Sequence, residues 1–289
     1  MPGILLYGLA SLLYAALALH FWRTRWNARP PRERAAPPAA GMLAWERVAL
    51  LAPLALHTWL LYADLVAPQE LRFGFGQALS VMLWMGVLLY WIESLFYTLD
   101  GMLPLVLPLA ALAAPLPALF PGIASGAHAA EFEFRIHLIL GMLAYSVFTI
   151  AMLHAVLMAF VERRLHRVHA QAEREPSGPL GGPWSSMPPL LTLERLLFRL
   201  IAAAFILLTL TLATGVLFSE TLFGRAFRFD HKTLFAVLSW LTFAVLLGGR
   251  TLRGWRGRTA LRWTLFGFAL LMLAYVGSRF VLEVILGRG

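Results

Sequence analysis

Apolar residues in this chain form long, nearly unbroken runs rather than alternating with polar residues at strand or surface-helix spacing. Eight runs come close to the ~20 residues with which a helix crosses ~30 Å of hydrocarbon. They are Ile4–Phe21, Val48–Val66, Gln77–Leu99, Met102–Phe120, Ile136–Phe160, Leu196–Phe218, Thr233–Gly248 and Trp263–Leu286. Alternating strands of ~10 residues, which would build a barrel, are missing from the pattern. The sequence therefore predicts an all-α, polytopic membrane helix bundle of about eight transmembrane helices, in a single membrane domain covering residues 1–289.

The fourth run differs from the others because prolines interrupt it at Pro104, Pro108, Pro115 and Pro117. A proline removes one backbone hydrogen bond and clashes with the preceding helical turn. This run is therefore predicted to be kinked or re-entrant.

The composition agrees with a membrane protein, since 60% of the residues are hydrophobic and 13% are charged. Soluble chains of this length are closer to a quarter charged. The absence of cysteine excludes a thiol nucleophile, a cysteine-ligated metal, an iron–sulfur cluster and thioether attachment of haem. The net charge of +9 would suggest nucleic acid in a soluble protein, but here the arginines lie between apolar runs. No nucleic-acid partner is therefore predicted.

Basic residues predict the orientation, because 17 of the 24 follow the first, fifth and seventh runs. Eight crossings place these three segments on one side, which the positive-inside rule assigns to the cytoplasm. Residues 22–47 and 161–195 are then cytoplasmic linkers whose arginines contact membrane lipid. Both termini face outward, and the first run is an N-out helix because no basic segment precedes it.

The depth of each histidine follows from a rise of ~1.5 Å per residue. His137 and His231 share one depth at the outward end, while His57 lies ~15 Å from Arg47, near the centre of the bilayer. His20 and His154 lie near the cytoplasmic side. Each ring could simply hydrogen-bond a neighbouring helix, and that interpretation stays open. A planar apolar cofactor such as haem needs imidazoles, aromatic walls and cations, and the outward end offers all three.

Residues 219–232 read S-E-T-L-F-G-R-A-F-R-F-D-H-K, in which phenylalanines alternate with charged residues. This segment is similar to the tryptophan-rich WWD segment of the cytochrome c assembly family, the CcsA-like group, with phenylalanine at each tryptophan position. Three further stretches resemble the same family: the histidine-led helix His137–Ala151 with Tyr145, the stretch Met187–Gly215, and Gly254–Arg279. Together they cover most of the second half of the chain.

The resemblance implies a protein of the bacterial inner membrane that handles or binds haem b near the outer face, with a membrane protein of cytochrome maturation as partner. It implies His137, which matches the family's outward histidine, as one axial ligand of the iron. His231 shares the depth of His137 and lies in the aromatic segment, so it is predicted as the second ligand, with His57 as the reserve. His231 stands where the family usually has proline, and Arg279 lies near the place of the family's second outward histidine. Arg279 either pairs with Glu283, one helical turn away, or binds a haem propionate. The residues predicted to hold the cofactor are His137, His231, His57, Phe223, Phe227, Phe229, Asp230 and Arg279.

Two other functions remain open from the sequence. The first is an accessory or transport protein that keeps the fold and binds no haem. The second is an electron-transfer cytochrome b with two haems, in which His20 and His154 would form the inner pair of ligands. No catalytic residue is predicted, and cytochrome c synthase activity is an open question because the second outward histidine of the family is missing.

The predicted orientation can be measured with green fluorescent protein, which fluoresces only when it folds in the cytoplasm. A fusion after Gly178 should be bright and a fusion at the C-terminus dark, because the arginine-rich segments face the cytoplasm. The reverse pattern would place residues 219–232 on the cytoplasmic side and overturn the orientation.

Overall fold

The computed structural model describes residues 2–26, 42–65, 72–96, 100–124, 131–172, 190–223 and 230–287. These residues form a bundle of helices, which confirms the predicted all-α membrane architecture. The helices are α1 (Pro2–Phe21), α2 (Ala44–Leu65), α3 (Phe75–Glu93), α4 (Leu103–Ala113), α5 (Leu116–Leu119), α6 (Phe132–Ala172), α7 (Leu190–Phe223), α8 (His231–Arg253) and α9 (Gly257–Met272). Two-residue strands, β1 (Arg72–Phe73) and β2 (Ile123–Ala124), pair antiparallel beside the start of α3.

Seven helical stretches of the described chain are long and apolar enough to cross a membrane. Their surfaces carry many exposed large apolar side chains, such as Leu5 at 75% and Leu217 at 66% exposure, which is unfavourable in water and favourable in lipid. α6 and α7 are longer than the predicted runs and continue into the predicted linker, α6 as far as Ala172 and α7 from Leu190.

The prolines of the fourth run divide it into α4 and α5, with a turn at Ala114 and Pro115, which is the predicted kink. This broken helix lies antiparallel to α3 and covers the same depth. The Gln77 side-chain amide at the start of α3 donates to the Phe120 carbonyl just after α5, at 3.2 Å. The other end of α4 reaches the arginine-rich end of α1, where the Trp26 indole donates to the Gly101 carbonyl at 3.2 Å. The fourth run therefore crosses the full thickness of the bundle.

The described parts of the arginine-rich segments lie at one end of the bundle, here called the arginine-rich end. Glu46 at the start of α2 is 1% exposed and accepts hydrogen bonds from Arg25 and from the Leu43 backbone, both at 2.8 Å. The His20 ring lies 2.9 Å from the same carboxylate, so one buried acid joins the end of α1 to the start of α2. This contact is the hydrogen-bonding alternative foreseen for His20.

The last membrane-crossing stretch is not a regular α-helix, because α9 continues as a π-helical turn at Leu273–Gly277 and a second one at Val281–Ile285. The buried Tyr145 hydroxyl of α6 donates to the Leu271 carbonyl at 2.7 Å and lies within hydrogen-bonding reach of the Tyr275 backbone amide. Residues 271 and 275 are i and i+4, the pair that would bond directly in an α-helix. A side chain inserted into this ladder is a known cause of local π-helical geometry.

Gly76 permits close contact between the start of α3 and α5, because a Cβ there would lie 2.9 Å from the Leu116 carbonyl oxygen and 3.0 Å from that of Phe120. Changing Gly76→Ala should lower the free energy of unfolding by about 1–3 kcal/mol, since backbone atoms cannot move aside. Gly8→Ala is the matched control, because a Cβ on Gly8 meets no atom within 4 Å. Thermal unfolding in mild detergent measures both changes. Equal melting temperatures of the Gly76→Ala and Gly8→Ala variants would contradict the close packing of α3 against α5.

Candidate functional site

His137 lies in the second turn of α6, at the end of the bundle opposite the arginine-rich end, and its ring faces α7. Nδ1 lies 3.0 Å from the Thr214 hydroxyl oxygen. That hydroxyl has one hydrogen, which it donates to the Leu210 or Thr211 backbone carbonyl, at 2.9 and 3.0 Å. Thr214 can therefore accept the Nδ1 hydrogen of His137. This tautomer leaves the lone pair of His137 on Nε2, the nitrogen that a metal could bind.

Gly215 follows Thr214 on α7 and allows the ring to approach this closely. A Cβ at residue 215 would lie 3.2 Å from Cε1 of His137, which is tighter than ordinary van der Waals contact. The Thr214–Gly215 pair therefore fixes the position of the imidazole between α6 and α7.

His231 is the first residue of α8 and is exposed. The rings of Phe148 on α6 and Phe243 on α8 stack with their centroids 4.0 Å apart, so these two residues lie at the same depth. They can be used to compare the depths of His137 and His231. His137 lies eleven residues, ~16 Å, before Phe148 on α6, and Lys232 lies eleven residues before Phe243 on α8. His137 therefore lies at the depth of Lys232, one residue from His231. No hydrogen bond or ring contact joins the two imidazoles within the described ranges, so their pairing on one iron stays a prediction.

Asp230 precedes His231 and caps α8, because its carboxylate accepts a hydrogen bond from the Thr233 backbone amide at 2.9 Å. Partial burial disfavours the charged form of Asp230. The hydrogen bonds from Thr233 and the neighbouring charges of Lys232 and His231 outweigh burial, so the pKa of the Asp230 carboxyl lies below its usual range. Asp230 thus fixes the helix start that carries His231.

Arg279 and Glu283, one turn apart on the last stretch, form no ion pair with each other among the residues that the structure covers. The Arg279 guanidinium lies 5.7 Å from the centre of the Tyr275 ring, and its buried Nε has no hydrogen-bond partner there. Glu283 instead accepts a hydrogen bond from the Phe75 backbone amide, 3.4 Å away at the start of α3. Lys232 lies near enough to Arg279 for the two positive charges to interact.

The structure describes only part of the aromatic segment that is predicted to contact the cofactor. Phe223 is the last residue of α7, whereas Phe227 and Phe229 lie outside the described residues.

His57 is fully buried between three helices. Its Nε2 lies 2.8 Å from the Ser80 hydroxyl of α3, and its Nδ1 lies 3.4 Å from the Tyr14 hydroxyl of α1. Both ring nitrogens therefore have neighbours on adjacent helices, which is the arrangement that a polar group in hydrocarbon requires.

The two histidines foreseen as an inner pair have different surroundings. Nε2 of His20 contacts Glu46, as described above. His154 is fully buried, with Nδ1 3.1 Å from the Ile150 carbonyl one turn earlier, and its Nε2 has no partner in the part of the chain that is described.

Comparison with known proteins identifies the family of this chain. The model of the cytochrome C assembly protein family matches residues 46–286, most of the chain. This chain belongs to the cytochrome C assembly protein family. The predicted membership of this family is thereby confirmed.

The curated relatives match over shorter stretches. Inner membrane protein YpjD of Escherichia coli K12 is 33% identical over 150 residues, which are 52% of this chain and 52% of YpjD. A 28.8 kDa protein of Azospirillum brasilense is 37% identical over 154 residues, 53% of this chain and 52% of the relative. The cytochrome c biogenesis protein CcsA of a Synechococcus strain is 31% identical over 121 residues, 42% of this chain and 33% of CcsA. The aligned region thus spans about half the length of the first two relatives. No solved structure matches the chain.

Thr214 and Gly215, which hold His137, are not predicted from the sequence. The signal was present, because T-L-A-T-G places Thr211 and Thr214 three residues apart on one face of α7, followed by a glycine. Their relation to His137 depends on how α6 and α7 pack, and spacing along one helix does not give that.

Diethyl pyrocarbonate, which carbethoxylates accessible imidazoles, tests this arrangement of histidines. Among the histidines whose burial the structure describes, His231 should react first in the native protein, because it is exposed, and His57 should stay unmodified until the protein unfolds. Thr214→Ala should speed the reaction of His137 by releasing its ring, and Thr251→Ala, far away on the exposed side of α8, should not. Mass spectrometry of peptides measures each site. Rapid modification of native His57 would contradict its burial.

Proposed function

We propose that this protein is a haem-handling component of cytochrome c maturation in the bacterial inner membrane, and that it holds b-type haem near the outer face. Membership of the cytochrome C assembly protein family supports the maturation role, and the names of its relatives YpjD and CcsA point to the same membrane and process. The observation that carries the proposal is the contact between Nδ1 of His137 and the Thr214 hydroxyl, at 3.0 Å. With the hydrogen of this bond on Nδ1, Nε2 is the nitrogen that would bind iron.

In this proposal His137 is one axial ligand and His231 is the second. The common depth derived from the Phe148–Phe243 stack supports this pairing, and so does the exposure of His231, whose ring is not buried in the protein. His57 remains the reserve ligand, although it would have to give up its contacts with Ser80 and Tyr14.

Cations near these histidines suit the propionates of haem. Arg279 is not paired with Glu283, and its planar guanidinium is well shaped for a carboxylate. Lys232 adds a second positive charge close to Arg279 and next to His231. Two like charges near each other in a partly buried place favour an anionic ligand between them. Phe223, Phe227 and Phe229 would supply the apolar surface against the porphyrin.

Bound haem would supply an iron centre with a characteristic optical spectrum, and the protein would hold it and hand it on. His137, held by Thr214, would fix the orientation of the porphyrin relative to α6 and α7. A partner among the membrane proteins of cytochrome maturation would receive the haem. We assign no bond-forming step to this chain.

The reduced-minus-oxidised spectrum of the protein, purified in mild detergent after expression with ample haem, tests the proposal. The native protein should show a Soret band with α and β bands. His137→Ala should lower haem affinity by more than the ~10- to 100-fold that loss of an outer-shell partner costs, and Thr214→Val should fall within that range. His20→Gln, which changes a histidine at the other end of the bundle and can keep the bond to Glu46, is the control.

The outcomes separate the rival functions. A colourless native protein would favour an accessory or transport role without haem. Two haems per chain, one of them lost in His20→Gln, would favour an electron-transfer cytochrome b. Restoration of the spectrum of His137→Gly by added imidazole would assign the axial position directly, since only a ligand role is rescued by the free base.

A further inference from the structure

A cleft of about 350 Å³ opens between α6 and α9 at the arginine-rich end, far from the proposed haem site. Its rim carries the guanidinium groups of Arg163, Arg258 and Arg262, and Leu261 and Leu265 form its apolar floor. We call it the α6–α9 cleft. Nothing in the proposed function uses it.

The charges in the cleft do not cancel. Nε of Arg258 lies 3.0 Å from the Glu162 carboxylate, and this pair joins α6 to α9 at the mouth of the cleft. Arg163 and Arg262 are exposed and have no hydrogen-bond partner among the described residues. Three guanidinium groups and one carboxylate leave two positive charges without a counterion among the described residues.

The backbone adds to this positive field. α9 begins at Gly257, next to Arg258 of the cleft lining, and its first turn has neither an acidic residue nor a side-chain cap. The start of a helix is its positive end, and it normally carries an acidic residue or a capping oxygen. Here arginines occupy these positions, so a bound anion would relieve both the side-chain charges and the helix dipole.

The order of charged and apolar side chains along α9 indicates the kind of anion that binds. Arg258 lies one residue inside the start of α9, and Leu265 lies seven residues further on, ~10 Å deeper along the helix. Leu265 is 41% exposed, so the floor of the cleft continues onto the surface that faces the acyl chains. Cations at the membrane surface above an open apolar slot match a phosphate headgroup with its chains.

We propose that the α6–α9 cleft is a specific binding site for one anionic phospholipid. Its phosphate contacts Arg163 and Arg262, and its acyl chain lies against Leu261 and Leu265. Glu162 repels a phosphate, but it is neutralised by Arg258. A free phosphate ester shares the headgroup chemistry and lacks the chain, so it would leave the apolar floor unused.

Lipid binding to the full-length protein in detergent, followed by native mass spectrometry, tests the site. Dioleoyl phosphatidylglycerol should bind more tightly than dioleoyl phosphatidylcholine, and the double change Arg163→Gln and Arg262→Gln should weaken it roughly tenfold or more. Arg195→Gln with Arg253→Gln removes two exposed charges from the same end outside the cleft, and should change affinity less than twofold. Replacing Arg163 and Arg262 by lysine should keep the preference for the anionic lipid.

Leu265→Trp tests the apolar floor with every charge in place, and it keeps the site testable if the glutamine variants fold poorly. It should weaken phosphatidylglycerol binding by filling the slot. Equal binding of the two lipids, or equal losses in the cleft and control variants, would overturn the proposal, as would binding of glycerol 3-phosphate as tight as that of the lipid. Haem content plays no part in these readouts, so the outcome is independent of the proposed function.

Discussion

Hydrocarbon offers no hydrogen bonds, and this single constraint explains most of the polar contacts in the bundle. Serine and threonine hydroxyls within the helices donate to backbone carbonyls one turn earlier, as Ser146, Thr149 and Thr264 do at 2.7–2.8 Å. Larger polar groups find partners on other helices. His57 joins α1, α2 and α3, and Glu46 joins the ends of α1 and α2. Polar residues thus help to specify which helices are neighbours, because apolar side chains gain no hydrophobic free energy by leaving lipid.

Much of the architecture could be predicted from the sequence, because the length of an apolar run is fixed by the thickness of the membrane. The run from Ile136 to Phe160 lies inside α6, and even the irregular fourth run, with Pro115 at its break, could be recognised. The ends were harder to place. α6 extends to Ala172, since a helix can continue past the hydrocarbon with polar residues that leave no mark in a hydropathy pattern. α7 begins at Leu190, before the predicted run, and its first turn packs into the bundle, with Leu193 1% exposed.

The candidate site was less accessible from the sequence. Depth along a helix is a matter of counting, so His137 and His231 could be placed at one end of the bundle. Partners across helices depend on the rotation of each helix, which counting does not give. The i, i+4 spacing of Arg279 and Glu283 predicts an ion pair between them, but this pair is not formed. The Glu283 side chain instead turns to the start of α3, where Gly74 leaves room for its carboxylate. The contact between Thr214 and His137 could not be predicted for the same reason, because it joins two helices.

The Tyr145 hydroxyl has an effect well beyond its own hydrogen bonds. A π-helical turn takes one more residue than an α-helical turn, so everything after it is rotated by about 100° relative to a regular continuation. Arg279 and Glu283 both lie beyond the turn at Leu273–Gly277. The Tyr145 hydroxyl on α6 therefore sets the rotation of the helical residues that follow the turn. It thereby determines the side of the helix on which the Arg279 guanidinium and the Glu283 carboxylate lie.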